Sequence, residues 1–348
     1  MSDIFPIALF LCFILWALNK YFSFSWLHNL RSSPQTYHKK STSRFGGIAI
    51  FLPLLIISLS SNSTEYQYLG LALLCSTPIF ILGLIDDLNI SIHPLMRIFL
   101  AVPSPVMYFF LLELRVESVS IPAIDYLLSN EVFGLMFLVF AIVGIVNAFN
   151  IIDGFNGLLL AFCIMLILSM VLVNGFRADL NWITYIVAIF FAILAVFIVN
   201  FPFGKIFLGD GGAYLLGALI PIGLIKFTFD NNFSPWYVLA MLIYPVTEVI
   251  FSIFRKVFIR KKSALEPDGL HFHMLIYKKV TKRIGFRRIR WRHFIVTACV
   301  LLLNFPFMLA ANYFSVNTFI LMLICLWFLI TYSIIYFLMM PKYIFKKK

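Results

Sequence analysis

The sequence predicts an all-α polytopic membrane protein, and three observations carry that reading. Apolar residues make up 62% of the chain and charged residues only 12%, whereas a soluble domain is nearer half apolar and a quarter charged. About eleven apolar runs reach or approach spanning length, roughly 17 to 25 residues. Lys and Arg alternate from loop to loop in the way that sets membrane orientation. The net charge of +12 does not indicate nucleic acid, because no basic domain stands apart from the spans.

In chain order the runs fall at about 4–22, 46–61, 68–85, 95–112, 132–149, 156–174, 182–200, 212–229, 236–256, 293–312 and 316–339. The first has Asp3 ahead of it and Lys20 behind it, the reverse of a cleavable signal, so it reads as an anchor with its N-terminus outside. The second is short and opens on Gly46-Gly47, which suggests a start close to a site. With the N-terminus outside, the inner side holds Lys20, Arg31, Lys39, Lys40, Arg44, Arg97, Lys205, the basic residues from Arg255 to Arg292, and Lys342, Lys346, Lys347 and Lys348. Only Arg115, Arg177 and Lys226 of the 27 Lys and Arg remain outside. The expected topology is therefore eleven spans, N-terminus out and C-terminus cytoplasmic. The chain forms a single domain, 1–348, with a basic cytoplasmic loop at about 257–292. The five cysteines lie inside apolar runs without metal-ligand spacing, which suits small packing residues.

Once the basic residues set the orientation, the acidic ones divide. Asp86, Asp87, Asp153 and Asp210 abut apolar helix ends on the inner face, and Glu248 lies within the ninth run. Ionisable groups at membrane depth are functional until shown otherwise. Asp86-Asp87 closes the third run, where two carboxylates repel each other and face the wrong end of a helix dipole; a metal or a cationic group would offset that. In Asn147-x-x-Asn150-x-x-Asp153-x-x-Asn156, polar residues recur at i, i+3, which makes each the neighbour of the next on a continuous helix. Gly209-Asp210-Gly211-Gly212 opens the eighth run, where free N–H groups would cradle a phosphate beside a carboxylate that takes its cation. Lys205 stands just ahead of it. Arg44, against Gly46-Gly47, and Arg97 are candidate phosphate contacts; His38, Lys39 and Lys40 suit the general attraction to anionic lipid. In Glu266-Pro-Asp268-Gly-Leu-His271-Phe-His273 the two histidines share a side only if the segment is extended, and no further ligand has zinc spacing. The hard oxygen donors favour Mg²⁺. The class indicated is phosphoryl transfer at the cytosolic membrane surface.

Arg44-Phe-Gly-Gly47, Asp86-Asp87, Asn147 to Leu158, Gly209-Asp210-x-Gly212 and His271-x-His273, in that order and each at an inner loop, resemble the polyprenyl-phosphate N-acetylhexosamine-1-phosphate transferases, glycosyltransferase family 4. The undecaprenyl-phosphate GlcNAc-1-phosphate branch is the nearer match. The resemblance implies transfer of a sugar 1-phosphate from a UDP-N-acetylhexosamine to undecaprenyl phosphate, with Mg²⁺ or Mn²⁺, in a bacterial inner membrane, at the start of a surface glycan such as O-antigen. Under it, Asp210 and Asn150 would bind the metal. Asp86 and Asp87 would serve the acceptor phosphate, one of them as a base. Asp153 and Asn156 would lie near the nucleotide, and His271 and His273 would meet the diphosphate and sugar. A homodimer is compatible with this reading. Met274 stands where the family usually has a histidine, and Ala213 where a serine is common; both bear on the sugar rather than on the reaction. The alternatives are a phospho-MurNAc-pentapeptide transferase, disfavoured by the missing histidine, and a transporter of an anionic substrate. A transporter would place charge near the bilayer midplane, often in a repeated architecture, and here only Glu248 lies mid-run.

Overall fold

The computed structural model describes residues 3–21, 42–61, 64–90, 92–174, 180–261, 263, 269–284 and 289–340. Among these residues every regular element is a helix. In order they are α1 (Ile4–Tyr21), α2 (Gly46–Ser60), α3 (Thr64–Asp87), α4 (Pro94–Ala101), α5 (Pro103–Leu111), α6 (Pro122–Leu128), α7 (Glu131–Ile152) and α8 (Leu158–Asn174). There follow α9 (Leu180–Asn200), α10 (Gly209–Asp230), α11 (Trp236–Met241), α12 (Ile243–Phe254), α13 (Phe272–Ile284), α14 (Ile289–Tyr313) and α15 (Thr318–Met339). His38, Lys39, Lys40, Glu266 and Asp268 lie outside the described residues.

The helix starts are written in the sequence. Pro94, Pro103 and Pro122 each occupy the first turn of a helix, where the missing N–H costs nothing. Asn130 and Asn317 cap α7 and α15, the Asn130 Oδ1 accepting from the Val132 and Phe133 N–H groups at 3.1 Å.

Among the described residues each of the eleven apolar runs is mainly helical. Among the described residues seven spans are long and apolar enough to cross a membrane: Tyr66–Asp87, Pro94–Leu111, Glu131–Ile152, Leu180–Asn200, Gly209–Asp230, Trp291–Tyr313 and Thr318–Met339. Ile4–Leu18, Gly46–Ser60 and Leu158–Val173 are apolar but shorter. The ninth run is broken at Leu242 into α11 and α12, and α12 continues into a π-helical turn, Arg255–Ile259. The chain is thus a polytopic membrane protein.

At the centre stands α10, 89% of whose span is buried, against 22% for the peripheral α15. Lipid tails are as apolar as leucine, so close backbone approach and interhelical hydrogen bonds, rather than water exclusion, hold such helices together. Both are present here. A Cβ on Gly47 of α2 would overlap the backbone of Gly212 in α10. The Tyr185 hydroxyl donates to the Leu219 carbonyl across α9 and α10 at 2.6 Å, and Ser76 shares a hydrogen with Tyr108 between α3 and α5 at 2.7 Å. Such bonds contribute about 0.6 kcal/mol each on average.

Candidate active site

Arg44, Asp87, Asp153 and Asp210 converge on the first turn of α10. Three backbone hydrogen bonds zip the Arg44 segment to the α9–α10 connection: Phe207 N–H to Ser43 O (2.8 Å), Gly46 N–H to Phe207 O (3.0 Å) and Gly47 N–H to Leu208 O (2.9 Å). Gly209 has φ +80°, and a Cβ there would overlap the Arg44 carbonyl oxygen, so both conformation and space demand glycine. That junction aims Arg44 at two carboxylates, Asp87 (Nε–Oδ1 3.3 Å) and Asp210 (Nη2–Oδ1 3.0 Å). Burial works against the Arg44 charge, but Asp210 and Asp87, with smaller help from Asp153 and Asp86, outweigh it and raise its pKa.

The nest expected to hold phosphate is occupied from within. Asp87 accepts from Asp210 N–H (2.9 Å) and Gly211 N–H (2.8 Å), filling the amides that a ligand was expected to take. Its partner Asp86 pairs with Arg97 at 2.9 Å and accepts from the Tyr214 hydroxyl at 3.3 Å. Both side chains are shut off from solvent. The electrostatic cost of two adjacent carboxylates at a helix C-terminus is therefore offset by two arginines and the positive end of a second helix. Asp210 is the accessible carboxylate, with its side chain 23% exposed.

The polar quartet does not sit on one helix. α7 ends at Ile152, Asp153 is its C-cap, and residues 153–157 form a turn. The i, i+3 pattern thus breaks after Asn150, where the helix ends and the turn carrying Gly154 begins. Asn147 is exposed on α7 and donates to the Val143 carbonyl of the same helix at 2.9 Å. Asn150 is half-buried one turn further on. Asp153 shares the field of Arg44, Asp87 and Asp210: burial pushes its carboxyl well above the usual range, Asp210 adds to this, and Arg44 opposes it. Asn156 is buried, its N–H donating to His293 Nδ1 (3.1 Å) and its carbonyl accepting from Thr297 (3.3 Å). Asn200 ties the same turn down by accepting from Gly157 N–H (2.6 Å) while donating to the Ile206 carbonyl (2.7 Å).

The histidines stand at the start of α13 rather than on an extended strand, yet their rings stack, 5.6 Å apart and 4° from parallel. Glu248 of α12 explains this. Its Oε1 accepts from the Phe272 N–H that begins α13 (3.1 Å), and its Oε2 lies 3.2 Å from His271 Nδ1. His273 Nδ1 is 3.9 Å from the same carboxylate and 3.2 Å from the Tyr244 hydroxyl. His271 and His273 are buried, 3% and 0% exposed, so the direct substrate contact expected of them is not what this geometry presents. Burial pushes the His273 pKa down to about 4, against the pull of Glu248.

Lys205 is not part of the cluster. It is exposed, and its ammonium lies 5.8 Å from the Trp16 ring of α1, because the turn before Gly209 directs it outward. Sequence reasoning also passed over Tyr214, Asn200, His293 and Tyr336. Tyr336, in the last helix, donates to the Leu270 carbonyl and accepts from Arg255, both at 2.8 Å. An isolated tyrosine in an apolar run carries no signal. Asn200, at the end of an apolar helix and just ahead of Phe201-Pro202, carried one.

Among the described residues no group of three or more His, Cys, Asp or Glu is arranged to hold a metal unaided. Mg²⁺ commonly takes one or two carboxylates and completes its shell with water and substrate phosphates. Asp210 and Asp153, two mutually repelling hard-oxygen donors with Asn150 on the preceding turn, fit that mode.

The family model of glycosyl transferase family 4 matches residues 69–228. The undecaprenyl-phosphate alpha-N-acetylglucosaminyl 1-phosphate transferase of Thermotoga maritima is 31% identical over 256 residues, 72% of this chain and 74% of that protein. The enzyme of the same name from Salmonella typhi is 25% identical, over 67% of this chain and 64% of that protein. A phospho-N-acetylmuramoyl-pentapeptide-transferase of Streptococcus thermophilus is 26% identical, over 53% and 58%.

Proposed function

Because this chain belongs to glycosyl transferase family 4, we propose that it transfers N-acetylhexosamine 1-phosphate from a UDP-N-acetylhexosamine to undecaprenyl phosphate and releases UMP. The observation that carries the reading is the meeting of Arg44, Asp87, Asp210 and Asp153 at the first turn of α10. In the reaction, an oxygen of the lipid phosphate attacks the sugar-bearing phosphorus. A new P–O bond forms, the P–O bond to UMP breaks, and the electron pair leaves on the UMP oxygen. The nucleophile is already anionic, so the protein's work is alignment and charge neutralisation, and no aspartyl intermediate is needed.

The side chains divide that work. Asp210 and Asp153, with Asn150, would hold Mg²⁺ or Mn²⁺, which when bound would offset the charge of the donor diphosphate. Arg44 and Arg97 supply positive charge where two phosphates must approach each other. Both Asp87 oxygens are already taken up by the Asp210 and Gly211 N–H groups and by Arg44, so Asp87 acts by fixing Arg44 and α10. Asp86 acts by orienting Arg97. Asn156, through its turn, keeps Asp153 in register.

The membrane arrangement belongs to the same proposal: eleven crossings, N-terminus out and C-terminus in, place α10's first turn at the cytosolic face of a bacterial inner membrane. The longer and higher-identity match to N-acetylglucosaminyl 1-phosphate transferases favours a simple N-acetylhexosamine over the muramyl-pentapeptide donor, and a surface glycan such as O-antigen as the destination. The test is purified protein in detergent with undecaprenyl phosphate, Mg²⁺ and a panel of UDP-N-acetylhexosamines. UMP release that requires lipid, metal and one sugar is the expected result. Folded protein that releases no UMP with any donor would overturn it.

A further inference from the structure

Glu248 is a buried carboxylate within an apolar helix, 1% exposed, and the reaction proposed above does not use it. Leaving such a group in a membrane span is costly unless it is paired, and its contacts show what it is paired with. It accepts from the Phe272 N–H at the N-terminus of α13 and faces His271 Nδ1, so it acts as the anionic cap that this helix end favours. It lies 3.9 Å from His273 Nδ1. The Tyr244 hydroxyl, one turn before it on α12, meets the same nitrogen at 3.2 Å.

On its other side His273 faces the Asp153 turn. A Cβ added to Gly154 would lie 3.1 Å from His273 Nε2. The His273 ring packs edge-on against Phe155, with centroids 5.7 Å apart. The imidazole therefore fills the space between the Glu248–Tyr244 pair and the backbone that carries Asp153. With Nδ1 turned to a carboxylate and a hydroxyl, the ring is fixed in rotation as well as in place.

We infer that Glu248 is a positioning residue of the transferase site: through His273 it sets the height of the Asp153–Gly154–Phe155 turn, and through the α13 N-terminus it holds the histidine segment against that turn. The inference rests on the proposed reaction for its functional meaning, but the mechanical link is a property of the fold. Glu248 touches no reacting atom. Its influence falls on the donor side, where Asp153 lies, and not on Asp86 and Arg97.

The experiment uses full-length protein in detergent and compares wild type with Glu248→Gln, which keeps size and shape but removes the charge. Hydrogen–deuterium exchange is read on peptides covering 153–157 and 83–90. Faster exchange in the first with no change in the second is expected; equal exchange in both would overturn the link whatever the activity. Steady-state kinetics give the functional arm: UDP-sugar kcat/KM falls about 10- to 100-fold, the scale of losing a supporting partner, while the KM for undecaprenyl phosphate stays within about twofold. A merely structural role would lower the yield of active protein and leave both KM values alone, and that result overturns the assignment. Tyr244→Phe, a milder change at the same nitrogen, should show the same pattern at smaller size and serves if Glu248→Gln does not fold. Adding His273→Asn to Glu248→Gln should cost little more than either change alone; full additivity would mean that the two act separately. Wild-type protein without turnover would remove the proposed reaction, while the exchange result would still decide the link.

Discussion

The carboxylate of Asp87 closes the N-terminus of a helix 123 positions further along the chain, accepting from the N–H groups of Asp210 and Gly211 at 2.9 and 2.8 Å. A helix end leaves several N–H groups without partners, and here one side chain from α3 takes two of them while also holding Arg44. Asp87→Asn keeps the shape but turns one acceptor into a donor facing the N–H groups and weakens the hold on Arg44. A loss of about 1–2 kcal/mol is expected from the cap, read as a lower thermal midpoint in detergent. UMP release should fall too, because Arg44 loses one of its two anchors. Asp86→Asn, which leaves the cap intact, should shift the midpoint less.

Asp210 should behave in the opposite way. Its side chain is partly exposed and its backbone N–H, not its carboxylate, takes part in the cap. Asp210→Asn should leave insertion and thermal midpoint close to wild type while cutting Mg²⁺-dependent UMP release by about 10²–10³-fold, the scale of removing one stabilising group from a reacting centre. Turnover like that of wild type would remove Asp210 from the metal site.

The pH behaviour of the metal-free protein should report Asp153. Its carboxyl is held well above the usual range by burial, with Asp210 adding to the effect. A raised folded-state pKa means that the native chain keeps a proton that the unfolded chain has released. The group's contribution to stability is thus complete below the ordinary carboxylate value of about 3.9 and is lost as pH rises through the elevated one. At neutral pH, Asp153→Asn should stabilise the metal-free protein and flatten the decline of the thermal midpoint with rising pH. For the same reason Mg²⁺ binding should release a proton in wild type. Calorimetry in buffers of different ionisation enthalpy should detect it, and should find none in the variant.

What could be read from the chain alone was whatever is local. Helix positions followed from apolar runs, and the motif residues Arg44, Asp86, Asp87, Asp153 and Asp210 stood out because charge at an apolar helix end needs a reason. Pairing was not legible. Arg44 and Asp210 are 166 positions apart, and Asn156 and His293 are 137 apart; nothing in either neighbourhood names the other. The quartet from Asn147 to Asn156 misled because a period of three implies one face only while the helix lasts, and this one stops at Ile152. Lys205 misled because nearness in sequence to Asp210 says nothing of direction across a turn. Glu248 was visible as an anomaly, the one acid in mid-run, and its pairing with the histidines accounts for it.

The last helix offers a test of how far support for the site extends. By composition α15 is a lipid-facing span, yet Tyr336 reaches inward to the Leu270 carbonyl and to the fully buried Arg255. Tyr336→Phe removes the hydroxyl and weakens the hydrogen bonding of both groups, a cost of about 1–3 kcal/mol. The effect should be local: faster hydrogen exchange in 269–275, which leads into His271 and His273, and a higher KM for the UDP-sugar. Ile334→Val provides the control on the same helix, because Ile334 is exposed and carries no hydroxyl; it should change neither. If both variants behave alike, α15 holds the loop by packing alone, and the Tyr336 hydrogen bonds do not govern the histidine segment.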